Sequence, residues 1–231
     1  MARGKNKTAW KKQRAVNRYE KAEHRYYIFC EGQRTEPNYF SGFKQDIERN
    51  PIYKNMVMIE IEGCQAETLS VVDAAEKYVK KNKLQKGQIY CVYDKDSFPP
   101  AHFNAAENKI NQLNKNNPEL QYHAAWSNEC FELWFILHFA NYTSNNGRQH
   151  YSEFLNREFK KRNLGKYDKT ADNYLILNEY GNPKKAIRYA ENLLKEGEGL
   201  TPAECAPATK VHELVKELAK YLPDTIREKY L

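Results

Sequence analysis

Apolar and polar positions along the chain alternate between two periods. Tyr26-Tyr27-Ile28-Phe29-Cys30 is a short run of β-formers that stops at Glu31-Gly32, the pattern of a buried strand ending in a turn. Thr35-Glu36-Pro37 then opens a helix. Thr35 is a favourable N-cap, and Pro37 fits the first turn, where its missing N–H costs nothing. This helix is predicted to reach Arg49, with Phe40, Phe43 and Ile47 on one face, and Asn50-Pro51 breaks it. The unit then recurs. Residues 56–61 and 88–93 read as strands, and 66–83 and 101–114 as helices with apolar side chains at helical spacing. Residues 120–126 read as a fourth strand, and Ser127-Asn128 leads from it into a strongly apolar helix over 129–139.

Strands joined by helical crossovers lie parallel, with helices on both faces of the sheet. The expected fold class is therefore α/β, a Rossmann-like parallel sheet of about four strands flanked by helices. Beyond residue 141 the pattern changes. A polar loop at 143–147 precedes helices predicted at 151–161, 168–177, 183–195 and 209–221, and a short one within 223–231, with no strand. The division that follows is a basic arm over 1–25, an α/β core over 26–140, and a helical extension over 141–231 packed on that core.

Charge sharpens this division. The chain has 231 residues and a formal net charge of +7. Residues 1–25 hold nine Lys/Arg and two acids, and the remaining 206 residues hold 28 of each sign, so the whole excess belongs to the arm. The arm can form a helix from Thr8. Its plain reading is a solvated tail, and its sharper reading is a segment that lies along phosphates. No apolar segment follows the charged N-terminus, as a signal peptide would need. The most apolar stretch, 131–140, is broken by Glu132 and His138 and is far shorter than the roughly 20 residues of a membrane span. A cytoplasmic protein without a membrane partner is expected. The five cysteines, Cys30, Cys64, Cys91, Cys130 and Cys205, show no C-x-x-C spacing, which argues against a disulfide framework or a thiolate zinc site. They read as small buried hydrophobes. The 17 Tyr, 10 Phe and 3 Trp supply enough core-forming surface to exclude dominant disorder.

In an open parallel sheet, ligands bind beyond the carboxyl ends of the strands. Two such ends carry acids: Glu31 after the first strand, and Asp94-Lys95-Asp96 after the third. Residues i and i+2 of an extended chain point to one side, so both aspartates can face one site beside Glu31. Three converging carboxylates repel one another unless a cation neutralises them. Oxygen donors without His or Cys fit Mg²⁺, or Mn²⁺. The chemistry that follows is of the phosphoryl type, with Glu31 as general base or as metal ligand. The plain alternative is that Asp-x-Asp is a solvated turn and Glu31 a helix-capping acid.

A second group, Ser127-Asn128-Glu129-Cys130-Phe131-Glu132, follows the fourth strand. Capping by Ser127 or Asn128 and dipole compensation account for Glu129. Glu132, inside an apolar run, is a candidate additional ligand. His138 reads as a core histidine or a supporting residue. Arg34 and Lys95 stand next to the acids, to pair with them or to bind substrate phosphates. Lys184 and Lys185, after Asn182-Pro183, are further candidate phosphate contacts, or simply a solvated helix face.

These residues resemble a known family. A strand ending in Glu-Gly and another ending in Asp-x-Asp look like the Toprim fold of topoisomerases, primases and overcoming-lysogenization-defect nucleases. The fuller wording, Phe29-Cys30-Glu31-Gly32-Gln33-Arg34-Thr35-Glu36-Pro37-Asn38-Tyr39-Phe40, Val92-Tyr93-Asp94-Lys95-Asp96 and Phe131-Glu132-Leu133-Trp134-Phe135-Ile136-Leu137-His138-Phe139, resembles the RloB family, also called AbiLii-like abortive-infection proteins. Thr209–Val215 resembles its closing helix, so the likeness runs from about Tyr26 to Leu222. One position departs from it: Glu129 stands where the family's Asn-Pro-Cys-Phe-Glu-Leu-Trp has proline. The resemblance implies a Toprim-like core and a Mg²⁺-dependent nuclease acting on RNA or DNA in prokaryotic anti-phage defence, beside an ABC/AAA-type ATPase. It maps Glu31 to the catalytic acid and Asp94 and Asp96 to the metal-binding pair; Thr35, Glu36, Ser127, Asn128 and His138 are expected as supporting residues around them. The competing expectation is a non-catalytic nucleic-acid-binding effector subunit of an ATPase-containing complex. A homo-oligomer is compatible with either.

Overall fold

A computed structural model describes residues 22–65, 68–115 and 118–231. Most of the basic arm, residues 1–21, lies outside the described residues, and so does its expected helix. The chain runs β1 (His24–Cys30), α1 (Thr35–Arg49), β2 (Val57–Gly63), α2 (Thr68–Asn82), β3 (Gly87–Val92), α3 (Pro100–Leu113) and β4 (Leu120–Ala124). Next come the two-residue β5 (Ser127–Asn128), α4 (Glu132–Leu137), α5 (Arg148–Lys161), α6 (Asn173–Tyr180) and α7 (Pro183–Glu196). The chain closes with β6 (Ala208–Thr209), α8 (Val211–Ala219) and α9 (Asp224–Arg227).

The α/β architecture expected from the periodicity is the one observed. Strands β2-β1-β3-β4 form one sheet in that order, all parallel. The first crossover moves outward from β1 to β2, and the second returns past β1 to β3. Right-handed crossovers in opposite directions put α1 and α2 on opposite faces. The connections therefore diverge between the carboxyl ends of β1 and β3, which opens a crevice there.

Both faces are dry. On one, α2 packs on β1, β3 and α3 through Val71, Val72 and Ala75. On the other, Tyr39, Phe40 and Phe43 of α1 meet Phe131, Phe135, Tyr174 and Tyr230 in mostly edge-to-face pairs. Trp134 Nε1 donates to Tyr39 Oη at 2.8 Å, which satisfies the one polar atom of the largest buried side chain. All five cysteines are free, and four of them are buried. Among the described residues, no helix is long and apolar enough to cross a membrane.

Two expectations need correction. Ser127 and Asn128 do not cap a helix. They form β5, which pairs antiparallel with Ala208–Thr209, so the C-terminal segment does contain a strand. The apolar helix starts at Glu132 rather than Glu129. The backbone N–H groups of Ser127, Lys95 and Asp96 are engaged instead in carrying the ladder past the strand ends, and this competes with helix formation.

Candidate functional site

The ladder between β1 and β3 continues one step beyond both strands, as Glu31 N–H donates to Val92 C=O at 2.9 Å. On the other side of β3, Asp94 forms a parallel bridge with Ser127. Lys95 N–H donates to Ser127 C=O at 2.9 Å, and Asp96 N–H to Glu129 C=O at 3.0 Å. Thr68 Oγ1, at the start of α2, donates to the backbone C=O of Asp94 at 3.0 Å. The candidate loop is thus fixed by the sheet on both flanks and by a helix beneath. Asp96 has φ of +39°, so the chain leaves the extended path assumed from the i, i+2 spacing.

Five carboxylates gather at these ends: Glu31, Glu36, Asp94, Asp96 and Glu132. Asp94 is 7% exposed, and Glu31 Oε2 accepts from its N–H at 3.1 Å. Burial raises the Asp94 pKa well above the usual carboxylate range, and the charges of Glu36, Glu132, Glu31 and Asp96 raise it further. Burial lifts Glu31 to about 7, opposed by the Asp94 N–H and reinforced by Asp96 and Glu36. Asp96 is raised by burial, against the pull of Arg148. Glu36 is raised by burial and by Glu132, although it accepts hydrogen bonds from its own N–H and that of Gly32. This carboxylate, rather than a hydroxyl of Thr35, caps the turn. A Cβ at Gly32 would lie 2.5 Å from Glu36 Oε2, so any side chain at residue 32 would displace it. Glu132 behaves oppositely. Burial alone would raise it, but Lys169 carries it below its ordinary value.

Two cations from the C-terminal segment meet this cluster. Arg148 Nη1 lies 2.8 and 3.0 Å from the two Asp96 carboxylate oxygens. Lys169 Nζ lies 2.9 Å from Glu132 Oε1, which also accepts from Tyr167 Oη at 3.3 Å. Neither cation figured among the sequence candidates. The available signal was the stretch 148–169, which carries seven Lys/Arg against three acids in an otherwise neutral body.

Other candidates stand elsewhere. Lys95 Nζ donates to Phe98 C=O at 2.5 Å and Asp96 C=O at 3.4 Å, so it folds onto its own loop. Arg34 is exposed on the turn before α1. Ser127 Oγ contacts Thr209 Oγ1 at 3.0 Å, and Asn128 Nδ2 donates to Pro202 and Ala203 C=O at 3.1 Å each; both side chains serve the β5–β6 joint. His138 is buried at the far end of α4, with Nδ1 on Trp134 C=O at 2.9 Å. Lys184 and Lys185 line a different cavity of about 580 Å³ with Tyr230 and Leu231, and no acid of the cluster lines it.

The donor set suits a hard divalent cation: clustered carboxylates, no imidazole, and a buried Glu129 Oε2 without a hydrogen-bond partner. Among the described residues, no three acidic, His or Cys side chains are arranged to hold a metal ion. Asp96 and Glu132 are instead turned toward Arg148 and Lys169.

The sequence matches the model of the family described as RloB-like protein over residues 26–218. The chain belongs to the RloB-like family. That span takes in every carboxylate of the cluster, both internal cations and the β5–β6 joint, so the family's common core includes the segment beyond residue 141. No curated protein and no solved structure matches the chain.

Proposed function

We propose that this RloB-like protein is a Mg²⁺-dependent nuclease of the Toprim type, which hydrolyses phosphodiesters of RNA or DNA in prokaryotic anti-phage defence of the abortive-infection kind. The observation that carries the reading is the convergence of Glu31, Asp94 and Asp96, with Glu36 and Glu132, at the crevice between β1 and β3. Glu31, Asp94 and Asp96 would hold the ion, Mg²⁺ or Mn²⁺. When bound, the ion supplies an acidified water and neutralises charge on the departing oxygen. Glu31 is either a ligand of that ion or, lifted to about 7 in the metal-free chain, the group that accepts a proton near neutral pH. The chain neighbours of the acids, Cys30, Tyr93 and Phe131, are themselves buried. An ATPase of the ABC/AAA type is the partner this reading implies.

The test is a cleavage assay on RNA and on DNA with Mg²⁺, with Mn²⁺ and with EDTA, each with and without the ATPase. Cleavage is expected with either ion and none with EDTA. Binding of both polymers without cleavage under every condition would instead establish the second reading, a non-catalytic nucleic-acid-binding subunit, for which the +7 concentrated in residues 1–25 speaks.

The arm carries its own expectation. Deleting residues 1–21 removes eight Lys/Arg and one Glu. Polynucleotide affinity should fall, and the slope of log affinity against log salt should flatten by about one for each phosphate the arm no longer neutralises. A slope unchanged by the deletion would show that the arm is not a binding element.

A further inference from the structure

We propose that Arg148 and Lys169 are phosphate-binding residues for a polynucleotide backbone, held on Asp96 and Glu132 until a divalent cation takes over those carboxylates. The inference rests on the metal-dependent reading above and deepens it, since it names what receives the substrate and what keeps the metal-free site in order.

The argument begins with charge. Removing a carboxylate from water costs several kcal/mol unless a counter-charge accompanies it. The acids of the cluster have two such counter-charges, and both come from the segment beyond residue 141. The exposures within each pair are unequal. The Asp96 and Glu132 side chains are 22% and 4% exposed, whereas those of Arg148 and Lys169 are 50% and 44% exposed. Each cation therefore sits on the rim, with its anion inside and solvent outside.

Both side chains are built to move from one anion to another. Arg148 uses a single nitrogen, Nη1, for both Asp96 oxygens, and a guanidinium carries further N–H donors that suit a phosphate. Lys169 reaches Glu132 on a flexible stem, and Tyr167 Oη already donates to the same oxygen, so the carboxylate is not stranded when the lysine leaves. The backbone beneath Lys169 is fixed. Asn38 Nδ2 of α1 donates to Thr170 C=O at 3.2 Å, and Asp168 Oδ1 accepts from Thr170 N–H at 2.7 Å and from its hydroxyl at 2.8 Å. Arg34 belongs to the same rim: Asp168 is held below its ordinary pKa first by Thr170 and then by the Arg34 charge.

A divalent ion held by Glu31, Asp94 and Asp96, with Glu132 as a further ligand, makes both internal cations redundant and repels them. The nearest anion outside the cluster is then the backbone of a polymer laid across the crevice. The stretch between the two residues also presents exposed Arg157, Lys160, Lys161 and Lys166, so the path away from the site is basic as well. Metal and polynucleotide thus bind cooperatively, and each is disfavoured without the other.

The test uses full-length protein and the variants Arg148→Gln and Lys169→Gln. Mn²⁺ binding is measured by titration calorimetry without nucleic acid. Binding of short labelled RNA and DNA is measured in Ca²⁺, across a salt series. Each variant should bind Mn²⁺ roughly twofold to fivefold more tightly, the range of a partly exposed ion pair removed from competition. Each should bind polynucleotide more weakly, with the salt slope lower by about one. Loss with both polymers marks generic backbone recognition, and loss with one identifies the substrate class; either supports the proposal. Mn²⁺ affinity unchanged or weaker in both variants, or polynucleotide binding unchanged in both, overturns it. Arg148→Lys and Lys169→Arg, which keep the charge, should restore both readings toward wild type. If Lys169→Gln fails to fold because Glu132 is left buried without a counter-charge, Arg148→Gln carries the test, since Asp96 is the more exposed of the two acids. A wild-type protein that binds no Mn²⁺ overturns the metal reading together with the inference. A wild type that binds Mn²⁺ and loses it in Asp94→Asn, beside indifferent Arg148 and Lys169 variants, overturns the inference alone.

Discussion

Replacing Asp94 with Asn is expected to abolish divalent-ion-dependent cleavage and to raise the melting temperature of the metal-free protein. The two effects share one cause. Asp94 is buried, and four other carboxylates raise its pKa well above the usual range, so in the absence of metal the folded chain is penalised for its charge. Asparagine keeps the shape and removes the charge. The contacts that fix the loop are unaffected, because Thr68 and Glu31 bond the backbone C=O and N–H of residue 94 rather than its side chain. Loss of the ligand should cost the several kcal/mol that a bound ion supplies, about 10³-fold or more in rate. The melting temperature in EDTA should rise by a few degrees. Cleavage that persists in Asp94→Asn removes Asp94 from the chemistry. A melting temperature that falls shows that the carboxylate is instead a structural acid with a favourable partner.

The second large effect is a metal stabilisation that grows with pH. Glu31 passes from an ordinary value of 4.5 to about 7 on folding, so between those values the folded chain binds more protons than the unfolded one. Its contribution is therefore fully present below about pH 4.5 and is lost as pH rises through 7. Asp94, Asp96 and Glu36 act in the same direction. His138 and His212 act in the opposite one: burial holds both at about 4, so they favour the fold as pH rises toward 6.5. The histidines blur the absolute profile, but they lie away from the cluster and cancel in the difference between Mg²⁺ and EDTA. At roughly 100 times its dissociation constant, a ligand stabilises by about 2.7 kcal/mol, which for a chain of this size is roughly 5–10 °C. The Mg²⁺-dependent shift in melting temperature should be near zero at pH 5 and largest above pH 7. Glu31→Gln should reduce that dependence. A shift of equal size at both ends of the range would place the bound ion away from these acids.

The sheet and most helices were legible because they rest on local periodicity. The buried face and the end of α1 follow from the Phe40/Phe43/Ile47 stripe and Asn50-Pro51, whereas its start owes nothing to capping by Thr35, since the N-cap is Arg34 and its side chain makes no capping bond. That Glu31 and Asp94 meet was legible because the carboxyl ends of neighbouring parallel strands lie side by side. What escaped the sequence depends on distance or on single dihedrals. Arg148 lies 52 residues from Asp96 and Lys169 lies 37 from Glu132, and neither separation leaves a periodic trace. The left-handed turn at Asp96 falls on a residue that gives no glycine signal. Ser127 and Asn128 have the chemistry of helix caps, and only the presence of Ala208–Thr209 turns them into a strand. That Glu36 joins the cluster depends on its contacts with the Gly32 turn and the charge of Glu132, neither of which its own helix reveals.

The joint between Ser127–Asn128 and Ala208–Thr209 also sets an order of events during synthesis. It spans 82 residues of chain, and Lys210 N–H and Thr209 Oγ1 both bond Trp126 C=O. The four-stranded sheet can assemble as soon as residue 124 has emerged, since all its pairings lie upstream. Ser127, however, which braces the Asp94 loop, waits for a partner 82 residues further along the chain. A nascent chain, or one cut before residue 208, thus carries the acids on a scaffold that is still unbraced. The braced site forms only once residue 209 has been made, a useful delay for a chain whose proposed chemistry is destructive to the polymers around it.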